Sequence, residues 1–298
     1  MRLHTIAVLQ ALFVVFLWAT SFVFVKIGLE NIPPVTFAGI RYFLAFICLL
    51  LVLLFNQSRI ELKKLPGSAW ARFILLGVLF YAGTQGAIFV ALAYLPAVTV
   101  NMMWSFSSVV IALLGISLLS ERPAWFQWGG MLLAVVGAVI YFYPVDFPRN
   151  QTIGVVIAVI GVLANALSAI LGREINRSSR HSPLVVTVIS MGVGSILLLV
   201  AGIAVEEAPR LDFQSWAIIL WLALVNTAFA FTLWNHTLRT LTAMESSIIN
   251  GTMLVWVAIF AVLFLGETIT GQEAVGLAAT GIGTIIVQLR RKPPKQQQ

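Results

Sequence analysis

Charge is what this sequence has least of. Only 10% of its 298 residues are Asp, Glu, Lys or Arg, while 60% are hydrophobic; a soluble domain carries about 25% charge. So few charges could not cover so much apolar surface in water, which excludes a soluble globular fold and implies a lipid solvent. Cysteine is nearly absent too. Cys48 stands alone in an apolar run, forms no intramolecular disulfide and reads as a small buried hydrophobe. The three His are scattered at 4, 181 and 236 with no Cys or acidic cluster, so metal-ligand spacing is missing. No Gly-x-Gly-x-x-Gly or Walker A stretch occurs, which removes ATP as a fuel. No catalytic constellation is legible, and neither an enzyme nor a cofactor is expected. The net charge of +7 falls mostly in short segments between apolar runs, where it sets topology rather than gripping nucleic acid.

What is present is a series of long apolar runs. A helix needs about 20 apolar residues to cross a bilayer. Ten segments meet that need, at roughly 5–27, 33–55, 71–92, 97–119, 125–143, 152–172, 183–204, 214–235, 244–265 and 271–289. The runs are continuous rather than alternating, and a barrel strand would be about half as long. Pro33, Pro34, Pro96, Pro123, Pro183 and Pro209 sit at or near their ends, where helices tolerate them. The first run is too long for a signal-peptide core and no small-residue cleavage site follows, so an uncleaved span is expected. The connections leave no room for a soluble domain, and the composition of the 290–298 tail predicts disorder.

Lys and Arg orient the chain. With the N-terminus in the cytoplasm and ten crossings, fourteen cations fall inside: Arg2, Arg59, Lys63, Lys64, Arg72, Arg122, Arg173, Arg177, Arg180, Arg239, Arg290, Arg291, Lys292 and Lys295. Only Lys26, Arg149 and Arg210 fall outside. That bias predicts a multi-pass protein of a cell inner membrane with both termini cytoplasmic.

The chain also writes one passage twice. Shifted by 146 residues, Leu95 falls on Leu241, Ala97 on Ala243, Glu121 on Glu267, Gly130 on Gly276 and Gly137 on Gly283. Nine of forty-six positions from 95 to 140 are identical, in one ungapped register through two spans. Five spans separate the copies, so the second is inverted, with Glu121 on the cytoplasmic side and Glu267 outside. Inverted repeats mark secondary transporters that bind substrate near the bilayer midplane. The glycines lie seven apart on one helix face and read as close-packing positions; the two glutamates read as helix-end anchors. The expected division is a first repeat over 1–143, a second over 152–289, and a basic tail over 290–298.

These residues resemble the EamA-type transporters of the drug/metabolite transporter superfamily. The stretch 16–46 is similar to the family's opening, with Trp18 and Ser21 in the first span, then Lys26, Pro33, Pro34 and Arg41. Residues 91–141 resemble the closing half of the repeat unit and 237–287 its second copy. Family members often carry a Pro in the middle of the fourth span; here "WSFSS" (104–108) and "NGTML" (250–254) have none. The resemblance implies an all-α integral membrane fold of ten transmembrane helices, as two inverted five-helix repeats around a central cavity. It also implies transport, often export, of amino acids or other small metabolites.

Polar residues inside spans need a reason in lipid. The candidates for substrate binding are Ser21, Gln85, Asn101, Ser105, Asn165, Asn226 and Asn250, with Ser168 beside them and Trp18, Tyr81 and Trp104 as aromatic walls. Trp234 and Trp256 offer further rings. Amides donate and accept at once, which suits a zwitterion, and aromatic faces suit apolar groups and cations. Bridging between helices explains such residues as well. Arg41 is the only cation well inside a span, either an anchor for a substrate anion or a residue reaching for the interface. No Asp or Glu lies well inside a span, which argues against a multidrug antiporter with an embedded carboxylate. Proton coupling would fall to Glu245, Glu267, Glu273 or His236, and a facilitator stays open.

The expected partners are therefore the bilayer and an amino acid or related metabolite, with the protein a monomer or homodimer. A toxic-cation exporter is one alternative and a non-transporting receptor or scaffold another.

Overall fold

In lipid, backbone N–H and C=O groups must be satisfied within their own segment, so continuous apolar runs become helices. The computed structural model describes residues 2–55, 65–119, 123–144, 148–177, 181–238, 240–241 and 243–289. Among them, α1 is Arg2–Gly28 and α2 is Pro34–Leu54. α3 joins Gly67–Leu76, a π-helical Gly77–Gln85 and Gly86–Tyr94. α4 joins Ala97–Ser105 to Ser107–Leu119. α5 is Trp125–Phe142, α6 is Arg149–Arg177 and α7 is Pro183–Val205. α8 joins Phe213–Ala223, a π-helical Leu224–Phe229 and Ala230–Thr237. α9 joins Ala243–Gly251 to Met253–Leu265, and α10 is Gly271–Gln288. Glu121, Asp146, the cations Arg59, Lys63, Lys64, Arg122, Arg180 and Arg239, and the 290–298 tail lie outside the described residues.

Nine of the described helices are long and apolar enough to cross a membrane. α10 is the other. It has 18 residues but carries Gln272, Glu273 and Gln288 near its ends, and packing along α5 fixes its place. Helix starts are chemically marked. The Asp212 carboxylate accepts from Ser215 N at 2.8 Å to open α8, and the Ser215 hydrogen bonds hold that carboxyl below its usual range. Thr270 and Glu273 form a reciprocal capping box at the start of α10.

Contacts between helix ends sort them onto two faces. On the face where α1 begins, the N-terminal face, His4 meets Glu245 at the start of α9, and Arg72 at the start of α3 meets Glu174 near the end of α6. On the same face Gln127 of α5 donates to the Val287 and Leu289 carbonyls that end α10, at 2.8 and 3.1 Å. On the opposite face Glu206 beyond α7 meets the start of α2, and Glu267 beyond α9 meets the start of α4. There Gln272 of α10 donates to the Ile140 and Tyr143 carbonyls at the end of α5. Successive helices therefore run up and down.

The pairing of helices repeats as the sequence does. α5 and α10 run antiparallel with their backbones touching. A methyl on Gly137 would lie 2.5 Å from Thr280 N and 2.7 Å from Gly276 O; one on Gly283 would lie 2.5 Å from Ala134 N and 2.6 Å from Gly130 O. Only glycine permits that approach. Gly130 opposes Gly283 and Gly137 opposes Gly276, so a shift of 146 converts each pair into the other. A self-mapping contact between antiparallel helices is what an inverted repeat requires. Elsewhere α2 packs on α7, with Gly39 against Leu199 and Gly202 against Thr36. α1 packs on α8 and α9, as α6 packs on α3 and α4.

α4 and α9 break at equivalent places without proline. Phe106 N bonds to Met103 O at 3.1 Å and Thr252 N to Ile249 O at 3.1 Å, tightening both ladders to three residues. The Ser105 hydroxyl takes Met102 O and the Thr252 hydroxyl takes Ile249 O, each at 2.6 Å. Such back-bonding by a hydroxyl bends a helix. Phe106 and Thr252 are again 146 apart.

Candidate functional site

The interior between α1, α2, α3 and α8 holds both π segments. A π turn takes in one extra residue and leaves carbonyls poorly met. In each segment a threonine hydroxyl fills the gap five residues back: Thr84 donates to Leu79 O at 2.9 Å, and Thr227 to Leu222 O at 2.8 Å. The two threonines are 143 apart. The change from 146 reflects the α3–α4 connection, Leu95 and Pro96, being three residues shorter than residues 238–242 between α8 and α9.

Toward the N-terminal face, α3, α6, α7 and α8 leave a cleft of about 250 Å³. Its polar lining is Tyr81, Asn165, Ser168, Thr187 and Ser190; Leu76, Phe80 and Phe231 supply apolar wall. Ser168 donates to Asn165 O at 2.8 Å and Ser190 to Val186 O at 2.7 Å, so both hydroxyl oxygens keep acceptor capacity. Trp18 extends the aromatic wall, with its ring 5.4 Å from Phe231 and 5.2 Å from Trp234.

Beyond this cleft lies a closed polar cluster. The Arg41 side chain is buried, with its residue only 5% exposed. Arg41 Nε donates to the Thr227 hydroxyl at 3.2 Å and Nη2 to the Ser21 hydroxyl at 3.4 Å. Its guanidinium lies 5.1 Å from the Tyr42 ring centroid and 5.7 Å from that of Phe89. Asn226, fully buried, donates to Leu17 O at 2.5 Å and Ser21 Oγ at 2.8 Å. Leu17 O can only accept, which fixes the amide orientation. Tyr42 donates to Gln85 Oε1 at 2.7 Å, and its ring meets Tyr81 of the cleft at 5.6 Å.

At the opposite face a larger cleft, about 560 Å³, is lined by Lys26, Glu30 and Glu267 among apolar residues. Lys26 closes the end of α3 by donating to Leu92 O and Leu95 O at 2.7 and 2.8 Å. Glu267 holds the start of α4 by accepting from Ala97 N at 2.6 Å and Val98 N at 3.2 Å. Gly266, in the left-handed conformation at φ +66, ends α9 and turns Glu267 toward α4. Glu206 holds the start of α2 alike, at 2.9 and 2.8 Å from Val35 N and Thr36 N. A carboxylate suits the positive end of a helix dipole.

The candidates chosen from sequence thus fall into groups. Tyr81 and Asn165 line the smaller cleft, and Trp18 adjoins it. Ser21, Arg41 and Asn226 meet in the closed cluster, and Gln85 adjoins it through Tyr42. Asn101 is buried and reaches Met253 O only at 3.5 Å. Trp104 packs on Gly161 of α6. Ser105 bonds within its own helix, and Asn250 is exposed and lines neither cleft. Trp256 stacks near Phe16 and Phe260. Sequence reasoning missed Tyr42, Thr187, Ser190, Thr227 and Phe231. One signal was available for Ser190: it stands seven residues after Pro183, as Arg41 stands seven after Pro34.

Comparison with known proteins extends this picture. The sequence profile described as the EamA-like transporter family matches twice, over residues 5–143 and 152–289. An uncharacterised transporter of Archaeoglobus fulgidus is 25% identical over 280 residues, covering 92% of this chain and 94% of its own. A protein of Salmonella typhimurium named a probable amino-acid metabolite efflux pump is 26% identical over 293 residues, covering 93% and 92%. One crystal structure superposes with a TM-score of 0.69 over 94% of this chain and 96% of that one, at 17% identity; that likeness speaks to fold alone.

Proposed function

Since the chain belongs to the EamA-like transporter family, we propose that it is a secondary transporter that exports or facilitates amino acids, hydrophobic and aromatic ones foremost, or related small metabolites. The observation that carries this reading is the smaller cleft. It places an amide and three hydroxyls beside Tyr81 and Phe231, a lining for a molecule that is polar at one end and apolar at the other. The Salmonella relative's name points the same way. The mechanism is alternating access between two inverted repeats, 1–143 and 152–289, with the 290–298 tail outside them. The cation bias makes the N-terminal face cytoplasmic in an inner membrane, so the smaller cleft opens inward, ready to load substrate for export.

Flux in proteoliposomes tests the reading. Purified protein meets labelled amino acids one at a time, with and without a pH gradient. Uptake of hydrophobic or aromatic amino acids above empty liposomes is expected. Flux without a gradient makes the protein a facilitator, and flux only with one makes it proton-coupled. Flux of lipophilic cations alone, or none, sinks the reading.

A further inference from the structure

Arg41 poses a problem that the fold alone does not solve. A guanidinium keeps its charge in proteins, and burying an unpaired charge in a bilayer is costly. The ion pairs His4–Glu245 and Arg72–Glu174 both lie at helix ends on the N-terminal face, far from Arg41. What Arg41 has instead is two hydroxyls and two aromatic faces. The same cluster holds an acceptor in want of a donor: Asn226 Oδ1 is buried with no hydrogen-bond partner. Leaving such a group unmet costs free energy as well.

The repeat explains where the cluster belongs. Arg41 in α2 matches Ser190 in α7, each seven residues after the proline that opens its helix at Pro34 or Pro183. Ser21 in α1 matches Ser168 in α6, 147 residues on, and Thr227 in α8 matches Thr84 in α3. Ser168 and Ser190 line the smaller cleft. The Arg41 cluster is therefore the inverted counterpart of that cleft wall, closed in this conformation while its mate is open. When access alternates, Arg41 and Asn226 become the lining.

Resting on the transport reading above, we infer that Arg41 is the docking point for the carboxylate of the substrate, with Asn226 Oδ1 accepting from its ammonium group. The substrate class is then α-amino acids rather than amines or phosphate esters. The planar guanidinium offers a carboxylate paired donors, and the substrate supplies the anion that the fold withholds. Tyr42, held by Gln85 and against Tyr81, stands between the cleft and the guanidinium.

Equilibrium binding to purified protein in nanodiscs tests the inference separately from flux. The probes are labelled L-phenylalanine, L-leucine and L-tryptophan, their decarboxylated amines, and inorganic phosphate. In the wild type each amino acid that binds is expected to out-bind its amine by roughly 30-fold or more, the scale of losing one partner of a buried charge pair. Arg41→Gln should erase that preference, and Arg41→Lys should keep part of it. Amines binding as well as acids, phosphate displacing the amino acids, no amino acid binding, or an unchanged preference in Arg41→Gln would each overturn it. Should Arg41→Gln fail to fold, the wild-type preference and Arg41→Lys decide: a lysine that holds amino acids as tightly as arginine rules out the paired-donor site. Binding without flux would refute the transport reading and leave Arg41 in place.

Discussion

Two pairs of helices related by the repeat differ in kind. α5 and α10 touch backbone to backbone through four glycines and are tied at both ends, by Gln127 on one face and Gln272 on the other. α3 and α8 carry π segments at equivalent depths, each held by one threonine hydroxyl. The first pair has no slack, since packed backbones are either in register or apart. The second has hydrogen-bond ladders already loosened, a feature that often marks functional sites. A membrane protein that must change shape without opening to lipid needs both: a seam that stays closed and helices that can reset.

The sharpest way to break the comparison is to force the seam. In Gly137→Ala the new methyl meets backbone, which cannot rotate away. Overpacking of this sort costs about 1–3 kcal/mol, so a clear fall in Tm of the detergent-solubilised protein is expected, with less folded protein recovered. Gly129→Ala, eight residues earlier on the same helix with open space around it, should be neutral or slightly stabilising. Equal Tm values for both would mean that the seam is looser than its geometry.

The π segments come next. Thr227→Val removes the hydroxyl that serves both Leu222 O and Arg41 Nε, whereas Thr84→Val strips only Leu79 O. Leaving a buried polar group unmet costs about 1–3 kcal/mol. Thr227→Val should therefore lower Tm more than Thr84→Val and weaken amino-acid flux, while Thr84→Val should weaken flux less. A reversed order would detach the π segment of α8 from the Arg41 site.

Much of this contrast was legible in the sequence, and some was not. Ten apolar runs, the 146-residue shift and the spaced glycines Gly130, Gly137, Gly276 and Gly283 are properties of pattern, and the seam follows from them. The π segments, "GVLFYAGTQ" and "LVNTAF", match at a threonine, Thr84 and Thr227, only at a shift of 143 rather than 146, so the 146-residue register does not reveal them. The family proline is missing from α4 and from its counterpart α9, and the breaks there come from the hydroxyls of Ser105 and Thr252. Polar residues could be placed by depth along a span but not by rotation around it. That is why Ser21 and Asn226 meet while Asn250, chosen on the same ground, is exposed.

The carboxylates that hold helix starts on the opposite face predict the smallest effect and the most specific one. Glu206 and Glu267 come from the second repeat and grip the starts of α2 and α4 in the first, so losing either grip is expected to favour opening of the Arg41 cluster. Each carboxylate at a helix N-terminus is worth about 0.5–1 kcal/mol, which translates into a two- to five-fold change in the open population. A cysteine at position 21, in a Cys48→Ala background, reports that opening, because Ser21 is 8% exposed in the closed cluster. Its alkylation by a membrane-impermeant maleimide should speed up two- to five-fold in Glu267→Gln or Glu206→Gln, and by roughly the product in the double variant, since two separate grips on one closure act independently. A rate that ignores both substitutions would mean that these residues merely finish their helices, and that closure over Arg41 is set by Tyr42 and the π segments alone.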